Sequence, residues 1–319
     1  MVKTILLTGA AGFIGSHVAK RLVEDGYVVV GLDNMNDYYD VSLKEARLER
    51  GVPDSVEVVK GDILDYELLQ RLASKHSFDG VIHLAAQAGV RYSLDHPDTY
   101  IQSNIQGTNN ILEIAKDFDI PKVVFASSSS VYGGNEKVPF SEDDDVSSPV
   151  SLYAASKKSN ELQAHVYNHL YGISMVGLRF FTVIGPWGRP DMAAFKFLKR
   201  MFAGDAIDVY NHGDMERDFT FVDDIVDGVV KSLEYDVDGV EVFNLGNHRP
   251  ERLLRFIELL EKHSGTTASK NMMPIQPGDV PKTFADTRKA ERLLGWRAKT
   301  NLDDGLKAFV DWYRGFYSG

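Results

Sequence analysis

Short apolar runs alternate along this chain with longer stretches in which apolar residues return every three or four positions. The runs at 3–8, 28–33, 56–61, 80–84, 122–127 and 174–179 read as strands, and the stretches beginning at Phe13, at 100–118 and at 153–171 read as amphipathic helices. Strand and helix in strict alternation predict an α/β protein with a doubly wound parallel sheet. The patterns at 100–118 and 153–171 are longer than one sheet face requires, and their spare apolar surface could pair two subunits. After Phe181 the glycines and prolines of GPWGRPDM end regular structure. The expected division is therefore a sheet domain at 1–181, with a strand returning near 241–246, and a smaller, interleaved lobe mainly at 182–319. An amphipathic helix at 302–317 closes the chain.

With 319 residues, 44% of them hydrophobic, the chain can bury a sizeable core as a soluble globular protein. A net charge of −11 argues against nucleic acid or an anionic membrane as partner, so an anionic ligand needs a local basic pocket. The absence of cysteine excludes disulfides, thiolate metal sites and cysteine nucleophiles, and fits a reducing compartment. The first strand begins at Lys3 and leaves no room for a signal peptide, and runs such as VVVGL are too short to span a bilayer; the expected location is the cytoplasm. The nine histidines lack metal-ligand spacing. His165 and His169, four apart but without an adjacent Glu, are assigned to surface or subunit contacts, and no metal is expected. The acidic run at 142–145 reads as a solvated loop.

Candidate chemistry begins in TILLTGAAGFIGSHVAKRL, a strand, a tight turn and a helix. Gly9, Gly12 and Gly15 fall where missing side chains let backbone approach a pyrophosphate and let helix pack on strand, with Phe13 and Ile14 opening the helix. The helix N-terminus then receives the phosphates. A glycine triplet alone is also met in ordinary tight turns, but the next strand ends in Asp33 and Asn34 at the spacing of a ribose-binding carboxylate. Asp33 would repel a 2′-phosphate, and no Arg or Lys lies between Gly26 and Lys44, so NAD is expected over NADP.

Tyr153 and Lys157, four residues apart, project from one helix face. Such a pair alone is more often a solvated surface. An ammonium beside a phenol lowers its pKa from about 10 and makes it a usable base. With the serine run Ser127, Ser128, Ser129 and Ser130, and with the glycine turn, the pair points to redox chemistry on a carbinol.

These segments together, over almost the whole chain, resemble the extended short-chain dehydrogenase/reductase family of nucleotide-sugar epimerases and dehydratases. The general marks are TGAAGFIG at 8–15, GDI at 61–63, HLAAQAGVR at 83–91, SSSSVYG at 127–133 and YAASK at 153–157. Narrower marks are DNMNDYYDVSLK at 33–44, LRFFTVIGPWGRPDMA at 178–193, IDVYNHGDMERDFTFVDDI at 207–225 and QPGDVPKTFADT at 276–287, which are similar to the bacterial UDP-glucuronate 4-epimerases. The main departure is Ile184, where such sequences usually carry Tyr; it puts the shape of one pocket wall in question.

The resemblance implies NAD-dependent inversion at C4 of a UDP-sugar. Tyr153 would take the 4-hydroxyl proton while a hydride leaves C4, Lys157 would also hold the nicotinamide ribose, and Ser128 would align the reacting oxygen. The 4-keto sugar would turn about its diphosphate linkage before hydride returns to the other face. Asp62 and Ile63 would bracket adenine, and Leu84, Ala85, Ala86, Gln87 and Ser127 would line the nicotinamide half. Gln87 and Arg91 would also reach the substrate. Ser129, Ser130, Thr182 and Arg189 would grip a sugar carboxylate, Arg217 the diphosphate and Asp279 the nucleotide ribose. Plainer readings remain for several: a strand-end cap for Ser128, a surface residue for Arg189, ordinary ion pairs for Arg217 and Asp279. The absence of an acid after Ser128 favours epimerisation over elimination or decarboxylation. The alternatives are a UDP-glucose/UDP-galactose-type 4-epimerase and a non-catalytic NAD-binding regulatory protein. A homodimer is implied by the family as well.

Overall fold

The computed structural model describes residues 2–276 and 280–317. Its central sheet has seven strands: β1 (Thr4–Thr8), β2 (Val28–Asp33), β3 (Glu57–Lys60), β4 (Gly80–His83), β5 (Lys122–Ser128), β6 (Ser174–Phe180) and, from far along the chain, Val240–Leu245. Their spatial order is Val240–Leu245, β6, β5, β4, β1, β2, β3, and every pairing is parallel. The inner strands of such a sheet are buried on both faces, which is why β1, β2 and β4 are nearly continuous apolar runs, whereas the edge strand β3 is mostly exposed. In β1 the side chains alternate between two cores: Ile5 and Leu7 face the helices Phe13–Glu24 and Val222–Glu234, whereas Leu6 faces Tyr66–His76, Gly107–Asp117 and Leu152–Tyr171. The strand order reverses between β1 and β4. A crevice therefore opens at their carboxyl ends, where ligands of open α/β sheets bind.

Helix Leu152–Tyr171 is fixed at both ends by local chemistry. The Ser151 hydroxyl accepts the Ala154 N–H at its start, and Gly172 ends it in a left-handed conformation, φ +69°. The segment expected as one helix over 100–118 is instead three joined pieces: Pro97–Tyr100, a wide π turn at Ile101–Gln106, and Gly107–Asp117. The Gly107 N–H reaches back five residues to the Gln102 carbonyl, and the Asn104 carbonyl also accepts from Thr108 Oγ1 (2.6 Å) and from Asn160 Nδ2 (2.8 Å). Periodicity alone does not register such a bulge.

A second lobe forms around Phe195, Phe219, Phe256 and Phe309. It holds β7 (Thr182–Ile184), parallel to β9 (Glu216–Phe221), which pairs antiparallel with Pro250–Arg252; β8 (Ile207–Val209) pairs with Lys270–Met272. Chain and lobe do not coincide. Helix Val222–Glu234, strand Val240–Leu245 and Trp296 lie beyond residue 182, yet pack into the core of the main sheet. The acidic run at 142–145 is not simply a solvated loop: Glu142 is partly buried and accepts the Asn244 N–H at 2.7 Å, and Asp144 accepts from Lys137 and from the Ser141 N–H.

Candidate active site

The glycine turn after β1 is shaped by contacts that only glycine permits. Gly9 takes φ +76°, and a Cβ there would come within 2.8 Å of the Ala85 nitrogen; a Cβ on Gly15 would overlap the Gly9 carbonyl oxygen. Helix Phe13–Glu24 consequently starts against the strand ends, with no acidic residue in its first turn to compete for an anion. Asp33, at the end of β2, accepts the N–H groups of Ala11 (3.1 Å) and Met35 (2.9 Å), which holds its carboxylate beside the turn. Asn34 donates to Asp62 at 2.9 Å. Gly9, Gly12, Phe13, Ile14, Gly15, Asp33, Asn34, Asp62, Ile63, Leu84, Ala85, Ala86 and Gln87 all line one cavity of about 680 Å³. The cradle that a single Cβ would fill, facing a helix N-terminus and a ribose-height carboxylate, fits a dinucleotide.

Although no Arg or Lys lies between Gly26 and Lys44, helix Val41–Gly51 folds Lys44 back onto Asp33: its buried ammonium lies 3.7 Å from Asp33 Oδ1 and 3.0 Å from Asn36 Oδ1. The charge at Asp33 is thus balanced locally. The carboxylate and its orientation remain what disfavours a 2′-phosphate.

At the other wall Tyr153 and Ser128 line the cavity together. Burial pushes the Tyr153 phenol above the usual range; the nearby Ser128 hydroxyl and then the Arg189 guanidinium work against this, and the Asp191 charge adds to it. Lys157 lines the same cavity. Its ammonium donates to the Ala126 carbonyl at 2.8 Å, and burial lowers it to about 8. The Arg189 guanidinium, from another loop, also favours a Tyr153 phenolate. Ser128 Oγ accepts the Ser130 N–H and bonds to Ser130 Oγ, both at 3.1 Å. The Ser127 hydroxyl turns inward to Glu161 (2.7 Å), so that residue offers the cavity a wall and no available hydroxyl. Beneath it runs a buried chain: Glu161 forks onto Arg179 (2.8 and 2.9 Å), Arg179 donates to the Tyr132 hydroxyl (3.0 Å), and Tyr132 donates to Asn244 (2.6 Å). This chain braces the serine loop from below.

The remaining polar residues converge on the same cavity. Ser129, Ser130, Thr182, Gln87, Arg91, Arg189 and Arg217 all line it. Arg91 lies over the Tyr210 ring, 5.0 Å from its centre, and Arg217 donates to the Glu216 and Pro281 carbonyls at 2.9 and 3.0 Å. Asp279 lies outside the described residues. Ile184 is buried in the second lobe's core, packed toward Gly305, and forms no part of the cavity wall. Its replacement of an aromatic residue therefore alters a core and leaves the pocket alone. Among the described residues no cluster of His, Asp or Glu could hold a metal ion, and no helix is long and apolar enough to cross a membrane.

Sequence reading missed several residues around the site. Asn104, in the π turn, accepts the Gln87 N–H (2.7 Å) and donates to the Gln87 carbonyl (3.0 Å), fixing that loop. Arg47 is fully buried and donates to the carbonyls of Ala11 (3.1 Å) and Trp187 (2.7 Å), tying the glycine turn to the loop that carries Arg189. Tyr38 donates to Asp191, which forks onto Arg189. The one signal for these was the dense polar and aromatic segment at 33–47, richer than a connecting loop requires.

Residues 5–246 match the model of the NAD dependent epimerase/dehydratase family. The chain belongs to that family. A UDP-glucuronate 4-epimerase of Arabidopsis thaliana (number 4) is 49% identical over 99% of this chain and 76% of its own length. The solved UDP-glucuronic acid 4-epimerase of Bacillus cereus, in complex with UDP-glucuronic acid and NAD, superposes with a TM-score of 0.92 at 37% identity, covering 98% of this chain and 100% of that one. A UDP-glucose 4-epimerase from Thermotoga maritima, solved with UDP-glucose, gives 0.89 at 33% identity, covering 98% and 99%. The α/β architecture with its seven-stranded parallel sheet is thus that of this epimerase/dehydratase family, and so is dependence on NAD.

Proposed function

We propose that this protein inverts C4 of UDP-glucuronate to give UDP-galacturonate through a transient 4-keto sugar. The observation that carries the reading is one cavity holding both a Tyr153–Ser128 pair and, beside it, three hydroxyl residues and an arginine: Ser129, Ser130, Thr182 and Arg189. Hydroxyl donors with a guanidinium suit a sugar carboxylate better than a hydroxymethyl group. Relatives at close to half identity include UDP-glucuronate 4-epimerases of Arabidopsis thaliana, which supports the uronate over the neutral hexose.

NAD, when bound, supplies the hydride acceptor and donor and brings a positive charge into the buried pocket. Tyr153 takes the proton of the sugar 4-hydroxyl and returns it after the sugar has turned. Ser128, beside the phenol in the same cavity, aligns the reacting oxygen. Lys157, anchored on the Ala126 carbonyl at the end of β5, stands ready to hold the nicotinamide ribose. Arg217 and Arg91, which line the same cavity, suit the diphosphate and nucleotide, which stay gripped while the sugar rotates. A 4-keto uronate is a β-keto acid, so the carboxylate must be held through every turnover.

The test is to incubate purified protein with UDP-glucuronate, without added cofactor, and separate the nucleotide sugars. UDP-galacturonate without net NADH is expected, and Tyr153→Phe should lose at least about 10³-fold in kcat while keeping its NAD. UDP-pentose as the main product, or turnover of UDP-glucose alone, would overturn the assignment.

We also infer a homodimer. Leu162, Val166 and Leu170 recur every four residues on helix Leu152–Tyr171 and are each more than half exposed, with Ile101 nearby on the adjoining π turn. Light scattering on the parent and on Val166→Asp should show a dimer and a monomer; a monomeric parent would refute this. The absence of cysteine supports work in a reducing cytoplasm, which localisation of a tagged chain would check.

A further inference from the structure

Arg189 is not alone in its corner of the cavity. Its Nε donates to Asp191 Oδ1 at 2.9 Å and its Nη2 to Asp191 Oδ2, so one edge of the guanidinium is fully taken. An arginine has five N–H donors in a rigid plane, and the edge carrying Nη1 is left for a second planar acceptor. Asp191 is itself held: the Tyr38 hydroxyl donates to Oδ2 at 3.3 Å. Tyr38 has little freedom, because its ring meets Tyr92 edge-on at 4.9 Å and its hydroxyl lies where a Cβ on Gly89 would come within 2.6 Å. The segment that delivers Tyr38 also delivers Arg47, whose guanidinium holds the Trp187 carbonyl at 2.7 Å and reaches the Ala11 carbonyl at 3.1 Å. The loop at 185–191 is thereby clamped at two points by residues from the cofactor side of the cleft.

Burial and then the Asp191 charge push the Tyr38 phenol up to about 12, so it remains a donor throughout the working range. Asp191 stays ionised: burial opposes this, but the Arg189 guanidinium outweighs it. Lys196, on the following helix, faces the same carboxylate.

We propose that Asp191, braced by Tyr38, is a positioning residue that fixes the plane of Arg189 and so sets the protein's preference for a carboxylate-bearing sugar and guards that carboxylate against loss. This deepens the uronate 4-epimerase reading and rests on it. A hydroxymethyl group needs a single donor and tolerates a swinging guanidinium, whereas a carboxylate needs two coplanar donors. The protective effect follows from charge. In a 4-keto uronate, decarboxylation breaks the C5–C6 bond; carbon dioxide leaves, and the electron pair passes into the C4 ketone as an enolate that then takes a proton. Negative charge thus moves off the carboxylate as the bond breaks, so donors fixed on its oxygens stabilise the intact acid more than the transition state. A loose Arg189 gives up that difference.

Asp191→Asn and Tyr38→Phe would be compared with the parent for bound NAD, for kcat/KM on UDP-glucuronate and UDP-glucose, and for the ratio of UDP-pentose to UDP-galacturonate. Asp191→Asn is expected to lower the uronate-over-hexose preference about tenfold and to release UDP-pentose as at least about a tenth of the product; Tyr38→Phe is expected to shift both in the same direction by less. A purely structural role would lower activity on both sugars together and leave the product ratio alone. That outcome, or parental preference and ratio in both variants, overturns the proposal. Should Asp191→Asn fail to fold with NAD, Tyr38→Phe decides. If the parent itself leaves UDP-glucuronate unchanged, the uronate reading falls and takes this one with it; an active parent with indifferent variants sinks only the role of Asp191.

Discussion

At the cofactor end of the cleft the protein offers mostly backbone, and at the sugar end mostly side chains. Gly9, Gly12 and Gly15 act through what they lack, and the carboxylate that completes the cradle follows in the very next strand. Ser129, Thr182 with Arg189, and Arg217 instead come from three separated stretches, and the residues that aim one of them, Tyr38 and Asp191, stand 153 positions apart. A backbone cradle tolerates almost no change yet discriminates little between sugars. A side-chain grip can be altered piece by piece, and each piece carries some of the discrimination.

The sharpest way to break this comparison is Gly15→Ala. The new methyl would overlap the Gly9 carbonyl oxygen, and neither partner is a flexible side chain. The expected result is a protein that retains almost no NAD, turns over neither UDP-glucuronate nor UDP-glucose, and loses about 1–3 kcal/mol of stability. Nucleotide released on denaturation and a urea titration would measure both. Retained NAD with normal turnover would show that the turn yields where the structure says it is rigid.

A lesion at the other end should be selective and smaller. If Thr182 donates to the sugar carboxylate, Thr182→Val removes a hydrogen bond to a charged group, about 1.5–3 kcal/mol, which is roughly 10- to 150-fold in kcat/KM for UDP-glucuronate. UDP-glucose should change by less than about threefold, and NAD content not at all. Equal losses on the two sugars would remove Thr182 from the carboxylate grip and weaken the contrast between the two ends.

The same contrast explains what could be read from the chain. The glycine turn, Asp33 and the Tyr153–Lys157 pair were legible because each is a short-range pattern whose meaning is set by helix or strand period. The sheet strands were legible for the same reason, apart from shifts of a residue or two at their ends. The role of Lys157 was only partly so: helical spacing brings it near Tyr153, but whether its ammonium faces the phenol depends on the Ala126 carbonyl, which no spacing rule supplies. Lys44, Arg47, Asp191 and the bulge at Asn104 were illegible because each acts across a fold, through a partner fixed only once the sheet and second lobe have formed. Ile184 misled for a related reason, since a residue inside a binding motif need not face the ligand.

Between the two ends lies His83, at the close of β4, and it gives the smallest of these effects a definite sign. The Thr108 hydroxyl donates its one proton to the Asn104 carbonyl, so His83 Nε2, 3.1 Å away, must be the donor to it. Nδ1 of the neutral ring then accepts from the Thr8 hydroxyl, 2.7 Å away, which itself accepts the Ala85 N–H. This relay of hydrogen bonds uses the neutral ring, and burial, assisted by the Lys157 charge, lowers its pKa to about 3. In the unfolded chain the ring titrates near 6.5. Its contribution to stability is therefore complete above pH 6.5 and lost as the pH falls toward 3, at up to about 1.4 kcal/mol per pH unit. Urea midpoints measured from pH 7.5 down to 4.5 should fall more steeply for the parent than for His83→Gln, whose amide can still offer one donor and one acceptor. Identical slopes would mean that this ring is not what couples acid to the junction of the cofactor strands and the π turn, and that the two ends of the cleft respond to acid through some other group.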